Sequence, residues 1–148
     1  MHRTTLFLIL SVLFLPVSCQ ATGFPKLYVG VTTDKPVYKS GEPIAMGVTV
    51  LNQDSKAYHV QFASSKIYDF LLCDGQGQLI WKWSGDKMFA MALVKRTLHP
   101  QQPLTYLAIF DQTLPSGKRL GPGKYRLVGE YSLRESPYHS QAAEFEIK

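Results

Sequence analysis

The sequence predicts an all-β domain folded as an antiparallel sandwich, and three observations support this prediction. Apolar or alternating segments of strand length recur roughly every 8–14 residues, with Gly, Pro, Asn or Asp between them. No segment has a convincing helical period, and only 88–95 has room for one helical turn. Near the end, Gly121-Pro122-Gly123 comes just before Tyr125, which fits a tyrosine corner as well as an ordinary core tyrosine.

The predicted strands follow one another from residue 27 onward. Turn-forming residues separate the predicted strands. Such residues also lie on both sides of the short segment 37–38. Alternation is clearest in 44–51, where Ile44, Met46, Val48 and Val50 share one face. The segments with a strand pattern are 27–33, 44–51, 58–62, 68–73, 79–83, 88–98, 104–110, 125–133 and 143–147.

The strongest local signal is a hairpin between 68–73 and 79–83. Asp74-Gly75-Gln76-Gly77 separates these two apolar segments, and Asp-Gly in this position is typical of a tight β-turn. In a strand, Trp81 and Trp83 point to one face and Lys82 to the other. That face is either core or an exposed aromatic platform for a sugar or a protein partner.

Size and charge limit the classes of function. The 148 residues allow one domain with its own core, and 45% are hydrophobic and 18% charged. The net charge of +5 is small, and no run of five like charges is present. This balance indicates a solvated surface, so we expect no nucleic acid partner.

The N-terminus predicts export. Arg3 precedes a largely apolar run, 6–15, which is too short to span a membrane. Leu15-Pro16-Val17-Ser18-Cys19 resembles a lipobox in which Cys19 is lipidated, although an ordinary signal-peptidase cut before Thr22 and an uncleaved anchor stay open. We expect a signal peptide (1–19), a tether (20–26) and one domain (27–148) in a membrane-anchored lipoprotein or a secreted or periplasmic protein. A lipid anchor would be the contact of this protein with the membrane. The second cysteine, Cys73, is interpreted as a small core residue.

The sequence lacks the patterns of an enzyme. Its histidines beyond the predicted signal peptide, His59, His99 and His139, lie on separate elements with no partner at metal-ligand spacing. No Gly-x-Ser-x-Gly elbow is present, and a Ser–His–Asp site built from distant segments is the enzyme alternative left open. Three aspartates, Asp69, Asp74 and Asp86, are interpreted as turn or edge residues. We therefore expect no catalytic, cofactor-binding or metal-binding residues.

One long stretch resembles a known family. Residues 68–89 contain, in order, a Tyr-Asp-Phe strand, an Asp-Gly hairpin, Trp-Lys-Trp-Ser and Lys-Met-Phe. This order is similar to the BsuPI-type intracellular proteinase inhibitors, and Leu120-Gly121-Pro122-Gly123-Lys124-Tyr125 resembles their closing strand. The resemblance implies an immunoglobulin-like antiparallel β-sandwich that inhibits proteinases, of the serine type.

The predicted contact residues form one loop. They combine flexible and anchoring side chains, and they are Trp83, Ser84, Gly85, Asp86, Lys87, Met88 and Phe89. We expect this loop to dock on a proteinase, with the alternative that Met88 and Phe89 close the end of the core. Two other functions stay open, namely a structural or adhesion module that binds an envelope protein or polysaccharide, and a chaperone-like sandwich that captures strands by edge pairing.

Overall fold

The computed structural model describes residues 26–148, which form eleven β-strands and one 3₁₀ turn. The 3₁₀ turn spans Trp83–Asp86. The strands are β1 (Leu27–Thr33), β2 (Val37–Tyr38), β3 (Ile44–Asn52), β4 (Tyr58–Phe62), β5 (Tyr68–Cys73), β6 (Leu79–Lys82), β7 (Val94–Leu98), β8 (Pro103–Phe110), β9 (Gly123–Tyr131), β10 (Tyr138–His139) and β11 (Ala143–Ile147).

The strands form two main sheets and one strand pair. The first sheet has the order β1-β3-β8, the second has the order β2-β11-β9-β5-β6 with β10 beside β9, and β4 pairs with β7. The pairings are antiparallel except for the parallel pair of β11 with β2. The predicted all-β antiparallel sandwich is confirmed, and the immunoglobulin-like detail is compatible with this arrangement.

The core lies between the two main sheets. The predicted inner face of β3 is confirmed, because Ile44, Met46, Val48 and Val50 are each at most 2% exposed. Burying side chains of this kind stabilises the fold by about 1.5–3 kcal/mol each. Gly129 on β9 lets the sheets approach closely, since a Cβ there would lie 2.6 Å from Cγ2 of Val48.

The structure confirms the predicted hairpin turn and decides between the two interpretations of Tyr125. The carboxylate of Asp74 accepts the N–H groups of Gln76 and Gln78 at 3.0 and 2.9 Å and closes the β5–β6 hairpin. The hydroxyl of Tyr125 donates to the carbonyl oxygen of Gly121 at 2.8 Å, which is the contact of a tyrosine corner.

Some predicted boundaries are wrong. The predicted strand 88–98 is a strand only over Val94–Leu98, and the helical turn lies at Trp83–Asp86 instead of within 88–95. The predicted strand 79–83 ends at Lys82, because Trp83 already belongs to the 3₁₀ turn. Cys73 is partly exposed rather than a full member of the core.

The predicted signal peptide (1–19) with Cys19, and residues 20–25 of the predicted tether, lie outside the described residues. Among residues 26–148, no helix has the length and apolar character needed to cross a bilayer.

Candidate functional site

The chain between the 3₁₀ turn and β7 displays apolar side chains to solvent. We call residues 87–93 the exposed segment. Met88 is fully exposed, Met91 is 88% exposed and Leu93 is 49% exposed. Large apolar side chains gathered on one exposed segment are typical of a contact surface. The interpretation of Met88 as a core residue is therefore wrong.

A buried carboxylate fixes the chain just before this segment. Asp69 on β5 is fully buried, and its carboxylate accepts the backbone N–H of Ser84 at 3.0 Å together with the Ser84 hydroxyl. These bonds turn the chain out of β6 and into the 3₁₀ turn. Asp69 is thus a buried anchor, and its interpretation as a turn or edge residue is wrong.

Asp69 belongs to a polar cluster that also contains Lys66 and Glu130. The ammonium group of Lys66 lies 3.0 Å from a carboxylate oxygen of each acid. The Ser132 hydroxyl donates to the same Glu130 oxygen at 2.6 Å, and His139 lies 3.3 Å from the other oxygen. Both acids therefore have partners for the charge that they bring into a largely buried place.

The cluster shifts the pKa values of Lys66 and Glu130 in the stabilising direction. Burial alone would lower the pKa of Lys66, but its hydrogen bonds to Asp69 and Glu130 outweigh burial and raise that pKa. Burial alone would raise the pKa of Glu130, but hydrogen bonds from Ser132 and Lys66 outweigh burial and lower it. The folded protein thus favours the charged form of both groups at neutral pH.

A second anchor holds the middle of the exposed segment. The N–H of Ser65 donates to the carbonyl oxygen of Ala90 at 2.9 Å, and the N–H of Ala90 donates to the hydroxyl oxygen of Ser65 at 2.9 Å. This reciprocal pair ties Ala90 to the connection between β4 and β5.

Trp83 supports the side chains next to Met88. Its ring stacks on Tyr68 with centroids 4.7 Å apart, which fixes it to the body of the domain. Phe89 packs against Trp83 at 6.0 Å, and the Lys87 ammonium lies 4.9 Å from the Trp83 ring centre. Phe89 is therefore half-buried on a surface aromatic residue rather than part of the main core.

Lys87 has a second partner in Asp86. Their charged groups lie 2.8 Å apart, and a hydrogen bond from Lys87 lowers the pKa of the Asp86 carboxyl. An open groove of about 470 Å³ runs beside this pair, between the 3₁₀ turn and the end of β8. Trp81, packed 4.3 Å from Phe110, and Ile109 are among the residues that line this groove.

The structure brings the predicted loop residues together but extends the loop. Trp83 to Phe89 form the 3₁₀ turn and the start of the exposed segment, and their contact with a proteinase stays a prediction. Ala90 to Leu93 and the anchors Ser65, Lys66 and Asp69 were missed. Asp69 could have been found, because an aspartate between Tyr68 and Phe70 in an apolar strand needs a partner if that strand is buried on both faces. Among the described residues, no group of three His, Cys, Asp or Glu side chains is placed to hold a metal ion.

The fold and this segment define a β-sandwich protein that holds an anchored apolar segment out in water. A family model described as BsuPI, intracellular proteinase inhibitor, matches residues 31–136, which is more than half of the chain. The chain belongs to this family. No curated protein matches it.

Several solved structures resemble parts of the fold. A β-glucosidase from Erythrobacter marinus is 11% identical with a TM-score of 0.49, over 84% of this chain and 16% of the enzyme. The sporulation control protein Spo0M of Bacillus subtilis is 13% identical with a TM-score of 0.49, over 82% of this chain and 49% of that protein. The chain spans less than half the length of each, and at these identities the likeness says nothing about activity.

The family match corrects the expected location. Arg3 and the run 6–15 led to the expectation of an exported protein, and this expectation is wrong, because the family is described as intracellular and points to the cytoplasm. Apolar runs of about ten residues occur in other contexts besides export signals, so the length of this run alone does not establish export.

Proposed function

We propose that this protein inhibits a proteinase by placing the exposed segment, residues 87–93, in the substrate cleft. Membership of the BsuPI family supports inhibition of a proteinase. The observation that carries the proposed site is the full exposure of Met88 between neighbours that pack on Trp83.

The anchors give the segment the property that an inhibitory loop needs. A flexible peptide loses conformational entropy when it enters a cleft, whereas a loop already held in its bound shape loses little. Asp69 fixes the chain at Ser84 and Ser65 fixes it at Ala90, so the residues between them are held at both ends. The segment also has extended backbone at Lys87, with φ −111° and ψ 148°, which suits a substrate-binding cleft.

We propose further that the protein is a binding protein without catalysis of its own, and that its target is a serine proteinase. An extended segment with a protruding side chain fits the way in which these enzymes bind a substrate residue in a primary specificity pocket. The sandwich supplies the rigid support, and the partner supplies the reactive groups.

The test is an inhibition titration of the full chain against chymotrypsin, subtilisin and trypsin. We expect stoichiometric inhibition of at least one of them, and loss of that inhibition when Lys87 and Met88 are both replaced by Asp. Leu107→Asp is the matched control, because Leu107 is a 74% exposed apolar residue on β8 outside the segment. Full inhibition by the double variant would show that the exposed segment is not the contact with the proteinase. Absence of inhibition of all three enzymes by the unsubstituted protein would contradict the proposed function.

A further inference from the structure

We infer that Met88 is the residue that enters the primary specificity pocket, and that the target is a serine proteinase with an apolar pocket rather than an acidic one. This inference rests on the proposed function and concerns the same segment. It assigns one side chain and one class of enzyme, neither of which follows from family membership.

The neighbours of Met88 are already engaged. The Lys87 ammonium lies 4.9 Å from the Trp83 ring centre and 2.8 Å from the Asp86 carboxylate, so placing it in another pocket would break both contacts. Phe89 packs on the same ring and is half-buried. Met88, between them, is fully exposed and can enter a pocket without giving up contacts of this kind.

Met91 is the alternative residue for the pocket, but the chain around it is held less firmly than the chain around Met88. Met91 is 88% exposed, and the anchored Ala90 precedes it, but the next residues, Ala92 and Leu93, are both exposed. Met88 is flanked on both sides by side chains that pack on Trp83, whereas Met91 is held firmly on one side. Binding therefore orders less of the chain around Met88 than around Met91.

The chemistry of the side chain selects the pocket. A methionine is unbranched, flexible and apolar, so it fills an irregular apolar slot well. It has no charge to pair with the carboxylate at the base of a trypsin-type pocket, whereas the chymotrypsin-type pocket is a hydrophobic slot. The two enzymes share one catalytic apparatus and differ in this pocket, which makes them suitable probes.

The experiment measures inhibition constants of the full chain for chymotrypsin and trypsin, with Met88→Ala, Met88→Lys and Met91→Lys. We expect the unsubstituted protein to inhibit chymotrypsin at least about 100-fold better than trypsin, and Met88→Ala to weaken chymotrypsin inhibition by about 10- to 100-fold, the value of one buried methionine. Met88→Lys should reverse the preference. Met91→Lys should keep the preference and change the constants by less than about tenfold.

Each outcome is decisive. Inhibition of chymotrypsin that survives both Met88 substitutions would overturn the assignment while the proposed function stands. Loss of chymotrypsin inhibition by Met88→Lys without a gain on trypsin would also overturn it, because such a residue contacts the enzyme outside the pocket. Absence of inhibition of both enzymes by the unsubstituted protein would overturn the assignment, and the proposed function would fall with it only if subtilisin also escaped inhibition. Circular dichroism and urea unfolding serve as controls for folding, and we expect the variants to fold because the substituted positions are exposed.

Discussion

At the scale of single residues, Asp69 connects the interior of the sandwich to its exposed segment. Its carboxylate accepts hydrogen bonds from both Ser84 and Lys66, at 3.0 Å from the backbone nitrogen of Ser84 and 3.0 Å from the ammonium of Lys66. A buried carboxylate with several partners is costly to alter, because each partner loses a hydrogen bond to a charged acceptor.

Asp69→Asn tests this connection. We expect the free energy of unfolding to fall by about 2–4 kcal/mol, because Lys66 loses a charged partner and the Ser84 hydroxyl loses its acceptor. Inhibition should weaken as well, since the start of the exposed segment is then less firmly held. Urea unfolding measures the first effect and an inhibition titration the second.

Asp111→Asn serves as the control for that experiment. Asp111 is exposed, and an amide oxygen can still accept the N–H of Thr113, so stability should stay within about 0.5 kcal/mol of the original. If Asp69→Asn lowered the free energy of unfolding no more than Asp111→Asn does, the role of Asp69 as an anchor would be contradicted.

At the scale of elements, the strands and the start of the exposed segment could be predicted from the sequence, but the extent of that segment could not. Alternation placed Ile44, Met46, Val48 and Val50 on the buried face of β3 because side chains on a strand alternate by geometry. Residues 88–93 are mostly apolar, so the same reasoning made them part of a strand. Contacts distant in sequence keep these residues out of a strand. Asp69 accepts a hydrogen bond from Ser84 and Ser65 accepts one from Ala90, and strand pairing begins only after both contacts.

Ser65→Ala tests the second of these contacts. The variant loses the bond from the Ala90 N–H to the Ser65 hydroxyl but keeps the backbone bond from Ser65 to Ala90. We expect inhibition to weaken about fivefold, equivalent to ~1 kcal/mol for one hydrogen bond that orders the segment. Ser136→Ala, at another exposed serine, should leave inhibition unchanged. Equal inhibition constants for the two variants would show that the Ser65 side chain does not support the segment.

At the scale of the whole molecule, the polar cluster joins parts of the chain that are far apart in sequence. Lys66 precedes β5, Glu130 lies on β9 and His139 lies on β10, so protonation of Glu130 affects several elements at once. The sequence alone did not predict this cluster, because nothing local brings Lys66 next to Glu130. The pairing of β5 with β9 does so, with Asp69 opposite Glu130.

The lowered pKa of Glu130 predicts a loss of stability in acid. Its folded pKa lies below the ordinary value of 4.5, so the unfolded chain binds the proton more readily. The contribution of Glu130 is therefore complete above about pH 4.5 and is lost as the pH falls through the folded pKa. Urea unfolding from pH 7 to pH 3 should show this decline, and Glu130→Gln should be less stable at pH 7 with a shallower decline. Parallel curves for the two proteins would contradict the prediction.

The two anchors on either side of Met88 have a consequence for a scissile bond. A serine proteinase that attacked the peptide bond after Met88 would hold the Met88 carbonyl as an ester on its serine and release the amine of Phe89, so that one new end is held through Ser84 by Asp69 and the other through Ala90 by Ser65. The amine would then stay at a high effective concentration beside that ester, and its attack on the ester would re-form the peptide bond and free the serine. Resealing would then compete with release, so a nicked inhibitor would still occupy its enzyme.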